Sequence, residues 1–297
     1  MPKVAATLYT DPGCPWAYSL RPAEAHLHWR FGDQIAWNPV LIGLSETAEA
    51  YAARGYKPES HAAGMPAFER RFGMPFDYPV KPRVAGTARA CRAMVVVRET
   101  TPERFDEALR AIQFMHFAHG GLLDEDDDLR EALGAVEGLD AAGIVARIDD
   151  PEILAAYEID RARSRSAHGS PTHVQDRSAT SDGPVRYTAP SVLFEGADGR
   201  QLEVGGFQPF EAYDTALANL DPSLERRPAP ESVTEALEAF PNGLTTAEVT
   251  AVMRRSDLAE RDRPGTEAEL ARLAAAGTVS REAVAGDAVW RLQGAAG

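Results

Sequence analysis

The residues best suited to chemistry stand together near the start of the chain, in Asp11-Pro12-Gly13-Cys14-Pro15-Trp16-Ala17. A cysteine that opens a helix directly after a strand and a glycine meets unpaired backbone N–H groups and the positive end of the helix dipole, and both favour the thiolate. Cys14 is therefore expected to be nucleophilic at neutral pH, with its pKa below the ordinary thiol value. Pro15 fits the first helical turn, where its missing N–H costs nothing, and Trp16 can cover one side of the sulfur while leaving it accessible. A solitary cysteine is more commonly a small buried hydrophobe; the strand, glycine and helix around Cys14 argue for the reactive reading. Tyr18, one turn on, is a candidate for lining the same groove, with core packing as its alternative.

A second element belongs with the first. Tyr187-Thr188-Ala189-Pro190 stands directly before an apolar strand, and a proline at a strand entrance is a candidate for a cis peptide bond. Cys91 lies inside Ala88-Arg89-Ala90-Cys91-Arg92-Ala93-Met94, which reads as an ordinary packed helix, so a resolving role for it is the lesser reading. His26 and His28 share the Cys14 helix, but at about 1.5 Å of rise per residue His26 is roughly 18 Å from the sulfur and cannot be its base. His116, His119, His168 and His173 read as helix-terminal or surface residues, and no spacing of histidines and carboxylates suggests a metal. Gly205-Gly206 lacks the Lys-Ser/Thr of a phosphate loop and reads as a strand-to-helix turn.

These residues must be positioned by an α/β framework. Val4–Thr10 reads as a strand halted at Asp11-Pro12-Gly13, Pro15 to about Arg30 as a helix ended at Phe31-Gly32-Asp33, and Ile35–Leu41 as a second strand, the opening of a βαβ unit. From about residue 59 to 167 no strand pattern appears. Caps and helical periodicity recur instead, at Val84–Glu99, Pro102–Ala118, Leu129–Val136, Asp140–Ile148 and Pro151–Ala167, which together form a helical insertion. The run Asp124–Asp128 leads into a helix, where the dipole compensates it. Strand character returns as a hairpin at Ser191–Phe194 and Leu202–Val204, followed by a helix over Gln208–Leu220. Thus residues 1–221 form one domain. A Pro-rich linker is expected over 222–230, then a small domain over 231–297 whose three helices and terminal hairpin follow the winged-helix order.

Composition narrows the function. The chain has 297 residues, 44% of them hydrophobic, which suffices for a buried core, and its formal net charge of −14 repels phosphate backbones. From Pro228 onward seven arginines and no lysine face eleven carboxylates, and the would-be recognition helix begins Thr266-Glu267-Ala268-Glu269, so DNA is not the expected partner. Packing or protein contact, including homodimerisation, is expected of that domain instead. Two cysteines, Cys14 and Cys91, exclude a disulfide framework. With no leader pattern and no long apolar run, a cytoplasmic protein without membrane contact is expected.

The order Asp11-Pro12-Gly13-Cys14-Pro15-Trp16, helical insertion, Thr188-Ala189-Pro190 and Gly205-Gly206-Phe207-Gln208-Pro209 resembles the DsbA-like thioredoxin superfamily over roughly residues 1 to 220. That grouping includes FrnE-type oxidoreductases, 2-hydroxychromene-2-carboxylate isomerases and kappa-class glutathione transferases. The resemblance implies a thioredoxin fold in which the Thr188-Ala189-Pro190 loop faces Cys14 and holds a partner's backbone, with Pro15, Trp16 and Tyr18 beside it. Redox members carry Cys-x-x-Cys, whereas Ala17 occupies the fourth position here. It therefore implies a monothiol oxidoreductase whose mixed disulfide at Cys14 is released by a second thiol from solution. No bound cofactor is implied, and glutathione or mycothiol would serve as co-substrate for a disulfide or small electrophile. Two alternatives stay open. One is a thiol-dependent transferase or isomerase, in whose branches a serine usually stands at the Cys14 position and bound glutathione supplies the sulfur. The other is a non-catalytic binding protein with a retired redox site.

Overall fold

The computed structural model describes residues 2–181, 183–256 and 259–294; Met1, Asp182, Asp257, Leu258 and the last three residues of the expected C-terminal domain lie outside it. Strand β1 (Val4–Thr10), helix α1 (Pro15–Phe31) and strand β2 (Ile35–Leu41) follow the βαβ expectation, with β1 and β2 parallel from Val4 opposite Ile35 to Thr10 opposite Leu41. Strands β5 (Ser191–Gly196) and β6 (Gln201–Val204) form the hairpin, and β5 runs antiparallel beside β1 with Tyr9 opposite Ser191. The sheet order is therefore β2-β1-β5-β6. This order sets the end of β1, and the turn after it, next to the start of β5. Residues 11–14 and 188–190, far apart in sequence, meet for that reason.

Between β2 and β5 lie α2 (Ala48–Ala53), α3 (Pro58–Phe72), α4 (Ala88–Thr100), α5 (Phe105–Ala118), α6 (Asp126–Gly134), α7 (Ala141–Ala146), α8 (Pro151–Ser164) and α9 (Pro171–Val174), then a short ladder of β3 (Ser178–Ala179) and β4 (Arg186–Tyr187). The insertion has its own core, built on the unbroken buried run Ala93–Val97 of α4 against Leu109, Ile112, Leu133, Ile148 and Tyr157. Helix α6 begins earlier than periodicity suggested, because Asp126, Asp127 and Asp128 themselves form its first turn, where carboxylates offset the dipole. Helices α2 and α9 and the β3–β4 ladder are too short for periodicity to reveal. Helix α10 (Phe210–Leu220) returns to pack on the sheet.

Helix α1 is buried on more than one side. Leu20, Leu27 and Phe31 join Val4, Ala6 and Phe194 in the sheet core, whereas Ala25 and Trp29 point the other way. Packed on both sides, the helix lies in the interior and buries Ser19, Arg21 and His26 along with its apolar residues. Pro22 inside it forfeits a backbone hydrogen bond at about 3 kcal/mol. Full burial of Leu20 and Leu27, at 1% exposure each, contributes about 2 kcal/mol apiece and outweighs that loss.

The far side of α1 is covered by the C-terminal elements: α11 (Val233–Glu238), β7 (Leu244–Thr245), α12 (Thr246–Val252), α13 (Arg263–Ala275), β8 (Val279–Val284) and β9 (Asp287–Leu292), the strands ordered β7-β9-β8. Ala25 and Trp29 share one apolar cluster with Leu237, Val249, Leu270 and Trp290. The connecting segment expected to be a linker is extended but fastened. The Arg227 N–H donates to the Arg30 carbonyl at 2.9 Å, the Trp29 indole donates to the Pro228 carbonyl at 2.8 Å, and the Arg227 guanidinium lies 3.4 Å over the Trp29 ring. Between α5 and α12, Arg110 bridges the two parts, donating to the buried Glu248 carboxylate at 2.8 Å and the Gly243 carbonyl at 2.7 Å.

Candidate active site

Cys14 is the N-cap of α1, with φ −90° and ψ 114°, and Pro15 follows as the first helical residue. The turn that delivers it is built on Asp11. One carboxylate oxygen accepts the Gly13 N–H at 2.8 Å; the other accepts the Leu44 N–H at 2.9 Å, the Thr87 hydroxyl at 3.0 Å and the Cys91 thiol at 3.5 Å. The Asp11 carbonyl takes the Cys14 N–H at 3.1 Å. Glycine precedes the cysteine because space forbids anything larger: a Cβ on Gly13 would stand 2.7 Å from both Leu123 and Thr87. Asp11 is fully buried, and desolvation raises its pKa against the four donors, which pull it down.

The Cys14 thiol donates to the Ala189 carbonyl at 3.0 Å, and the Ala189–Pro190 peptide bond is cis. The loop is itself pinned, since the Thr188 hydroxyl donates to the Arg177 carbonyl at 2.9 Å and Tyr187 stacks on Tyr9 at 4.3 Å. Cys14, Pro15, Trp16, Thr188, Ala189 and Pro190 thus gather at one place, as read from the sequence.

The electrostatics differ from expectation. Cys14 is only 6% exposed, and burial pushes its pKa up from 9.0 to about 12. The N–H groups of Ala17 and Trp16 do lower it, as a helix N-terminus should, but the Asp11 charge opposes them and desolvation exceeds both. At rest Cys14 is a protonated hydrogen-bond donor. The helix terminus favours the thiolate locally, and burial, which one-dimensional sequence does not record, outweighs it.

No protein-family model matches the sequence, and no curated protein matches it. Among solved structures it is similar to a proposed protein disulfide isomerase from Nitrosomonas europaea, with a TM-score of 0.56 and 16% identity over 73% of this chain and 97% of that one. It is also similar to the cytosolic disulfide reductase DsbM from Pseudomonas aeruginosa, solved with GSH, with a TM-score of 0.51 and 16% identity over 73% of this chain and 100% of that one. A proposed DsbA oxidoreductase from Streptomyces coelicolor gives 0.52 and 19% identity, over 73% and 89% of the two chains. The chain has the DsbA-like thioredoxin fold. At such identities the likeness is one of architecture, and activity must be argued from the site.

Within this DsbA-like fold the surroundings of Cys14 are aromatic. Trp16, 40% exposed, packs against Phe68, Phe72 and Phe207 with ring centroids 4.8, 5.7 and 5.6 Å away. Nothing in the sequence of α3 marks which turn will face α1, so Phe68 and Phe72 are not identifiable there, and Phe207 stands in Gly205-Gly206-Phe207-Gln208-Pro209 with no pattern that ties it to Trp16. Asp11 belongs to the Cys14 motif in sequence, but its grip on Leu44, Thr87 and Cys91 depends on contacts that only folding makes.

Tyr18 does not line the groove. It is fully buried, stacked on Phe117 at 5.0 Å, and its hydroxyl donates to the Pro75 carbonyl at 2.9 Å. One helical turn beyond Cys14 the side chain already points into the core between α1 and α5. Cys91 is also fully buried within the insertion core, and both cysteines are free. Burial drives the His26 ring down to about 3, where it stacks on Phe210 at 3.8 Å. Among the described residues no cluster of three or more His, Cys, Asp or Glu is placed to hold a metal ion. A cleft of about 1600 Å³ opens elsewhere, between the end of α1, α5, α6 and the C-terminal sheet, lined in part by Trp29, Arg104, Arg110, Glu137 and Glu282. Its lining carries histidines and carboxylates, among them His28, His119 and Asp106, but neither Cys14 nor Cys91. Among the described residues no helix is long and apolar enough to cross a membrane.

Proposed function

We infer that this protein is a thiol–disulfide oxidoreductase of the DsbA type, working as a monothiol through Cys14. The observation that carries the reading is the approach of the Cys14 sulfur to the Ala189 carbonyl at 3.0 Å, at the helix start of a DsbA-like fold, while Ala17 fills the place of a resolving cysteine. Cys14 attacks one sulfur of a disulfide R–S–S–R′, a Cys14–S–S–R bond forms as the S–S bond breaks, and the proton of Cys14 ends on the departing R′SH. A second thiol attacks Cys14–S–S–R and restores the Cys14 sulfhydryl, leaving R as a new disulfide with that thiol. Glutathione or mycothiol is the co-substrate of this reading, the substrate is a disulfide or small electrophile, and the setting is cytosolic, as for DsbM. Because the resting thiol is protonated, attack draws on a small thiolate fraction. The C-terminal elements are read as a winged-helix-like module for packing or protein contact.

The protonated state favours one second reading, a thiol-dependent transferase or isomerase in which the Cys14 S–H donates to the thiolate of a bound glutathione or mycothiol. A single substitution separates the two. Cys14→Ser keeps a donor and removes the nucleophile, so it abolishes disulfide exchange in the first reading and preserves transfer to an electrophile in the second. Mass spectrometry after incubation with glutathione disulfide or mycothiol disulfide should find a mixed disulfide at Cys14 that added thiol releases. Absence of any adduct, with no transfer activity, would refute both and leave a binding protein.

A further inference from the structure

Helix α3 carries the aromatic rings that flank Trp16, yet its own packing is thin: Met65 is its one buried residue among fifteen. Met65 and Phe68 seat its middle on the core of Tyr18, Phe76 and Phe117, which leaves its C-terminal end to be fixed by other contacts. Its C-terminal end is held by the C-terminal elements. At Gly73 the backbone turns left-handed, with φ +86°, and the carbonyl there accepts Arg263 Nη1 at 2.8 Å. Nη2 of that guanidinium reaches Asp287 at 3.1 Å and Nε the exposed Glu267 at 2.7 Å; buried Asp287 also accepts the Thr246 hydroxyl, which in turn accepts the Trp290 indole N–H at 2.9 Å. The surfaces touch: a Cβ on Gly73 would lie 3.0 Å from Arg263 Nη1 and 3.2 Å from Ala247. On the other side of this anchor, Phe72 and Phe68 lean on Trp16, two residues after Cys14.

We propose that the C-terminal module is the fixed wall of the Cys14 site, and that Arg263 is a positioning residue which anchors the end of α3 and, through Phe72 and Phe68, sets how far Trp16 and Cys14 are open to a substrate. The proposal rests on Cys14 being the reacting atom. It gives the module a role that its acidic balance denies it on nucleic acid. Arg263 suits the task because its planar fork binds the Gly73 carbonyl and the Asp287 carboxylate together, which a lysine ammonium cannot do in the same geometry.

The test uses the full chain and reads the exposure of Trp16, independently of turnover. Acrylamide quenching of Trp16 is isolated by difference from the Trp16→Phe protein. Loss of a charge-assisted hydrogen bond shifts the balance between seated and released α3 roughly tenfold, so Arg263→Ala should raise the quenching, with Arg263→Lys in between. Phe72→Ala exposes Trp16 directly, and adding Arg263→Ala to it should add less than Arg263→Ala does alone, because only Phe68 then still carries the release of α3 to Trp16. In a Cys91→Ala background at alkaline pH, alkylation of Cys14 by a bulky maleimide should gain on alkylation by iodoacetamide in the Arg263→Ala protein. Circular dichroism checks that each variant is folded, and should Arg263→Ala fail to fold, Arg263→Lys carries the same comparison. Unchanged Trp16 quenching in a folded Arg263 variant overturns the proposal, as does full additivity with Phe72→Ala. Absence of disulfide exchange by the wild-type protein, with this quenching pattern present, would sink the oxidoreductase reading alone.

Discussion

The pH dependence of Cys14 alkylation distinguishes a buried donor from a ready nucleophile. With the thiol pushed up from 9.0 to about 12, its thiolate fraction at any pH below 9 is roughly a thousandfold smaller than that of an ordinary thiol. In a Cys91→Ala background, iodoacetamide should therefore modify Cys14 about three orders of magnitude more slowly than a peptide thiol at pH 8. The rate should keep rising tenfold per pH unit where the peptide has levelled off, and mass spectrometry should place the label on Cys14. The difference corresponds to about 4 kcal/mol of added ionisation free energy, and at 6% exposure little solvent remains to screen it. Linkage supplies an independent check. A thiol whose folded pKa is raised contributes stability that is fully present below about 9, where both states hold the proton, and is lost as pH climbs through about 12. The denaturant midpoint should thus fall more steeply above pH 9 than it does for Cys14→Ser. An alkylation rate that levels near pH 9 at the peptide value would refute the claim that burial outweighs the helix terminus.

Other outcomes follow from single contacts. Ala17→Cys places a second thiol one turn from Cys14, within the 4.4–6.8 Å Cα separation that disulfides accept, roughly the i to i+3 spacing of a helix, and thiol titration should show the pair oxidising to a bridge. Tyr18→Phe removes the hydroxyl from the Pro75 carbonyl and should cost about 1 kcal/mol in urea unfolding while leaving Cys14 alkylation untouched. Arg110→Ala strands Glu248, which is wholly buried, and should cost about 3–5 kcal/mol, read as a loss of thermal stability. Asp11→Asn removes the charge that opposes the Cys14 thiolate, so the alkylation profile of Cys14 should move to lower pH; an unmoved profile would deny Asp11 any electrostatic part.

The local features of this protein were legible in its sequence because they depend on neighbours along the chain. β1, α1 and β2 follow from periodicity and from the Gly32 stop, and the β5–β6 hairpin from its turn. The place of Cys14 at a helix start follows from strand, glycine and proline in order. Tertiary structure decided what the cysteine is. Sheet order brought Ala189 to within 3.0 Å of its sulfur and shut out solvent, and the resulting desolvation reversed the pKa that the helix terminus alone would set. It also decided that Tyr18 is core, since a residue one turn along a helix faces whatever packs there, here Phe117 of α5. The same holds for the C-terminal elements: their helices and hairpin were readable as a pattern, but their seat on Ala25 and Trp29 was not. A burial or a long-range contact is a property of two segments at once, and neither segment's own residues state which partner it will meet.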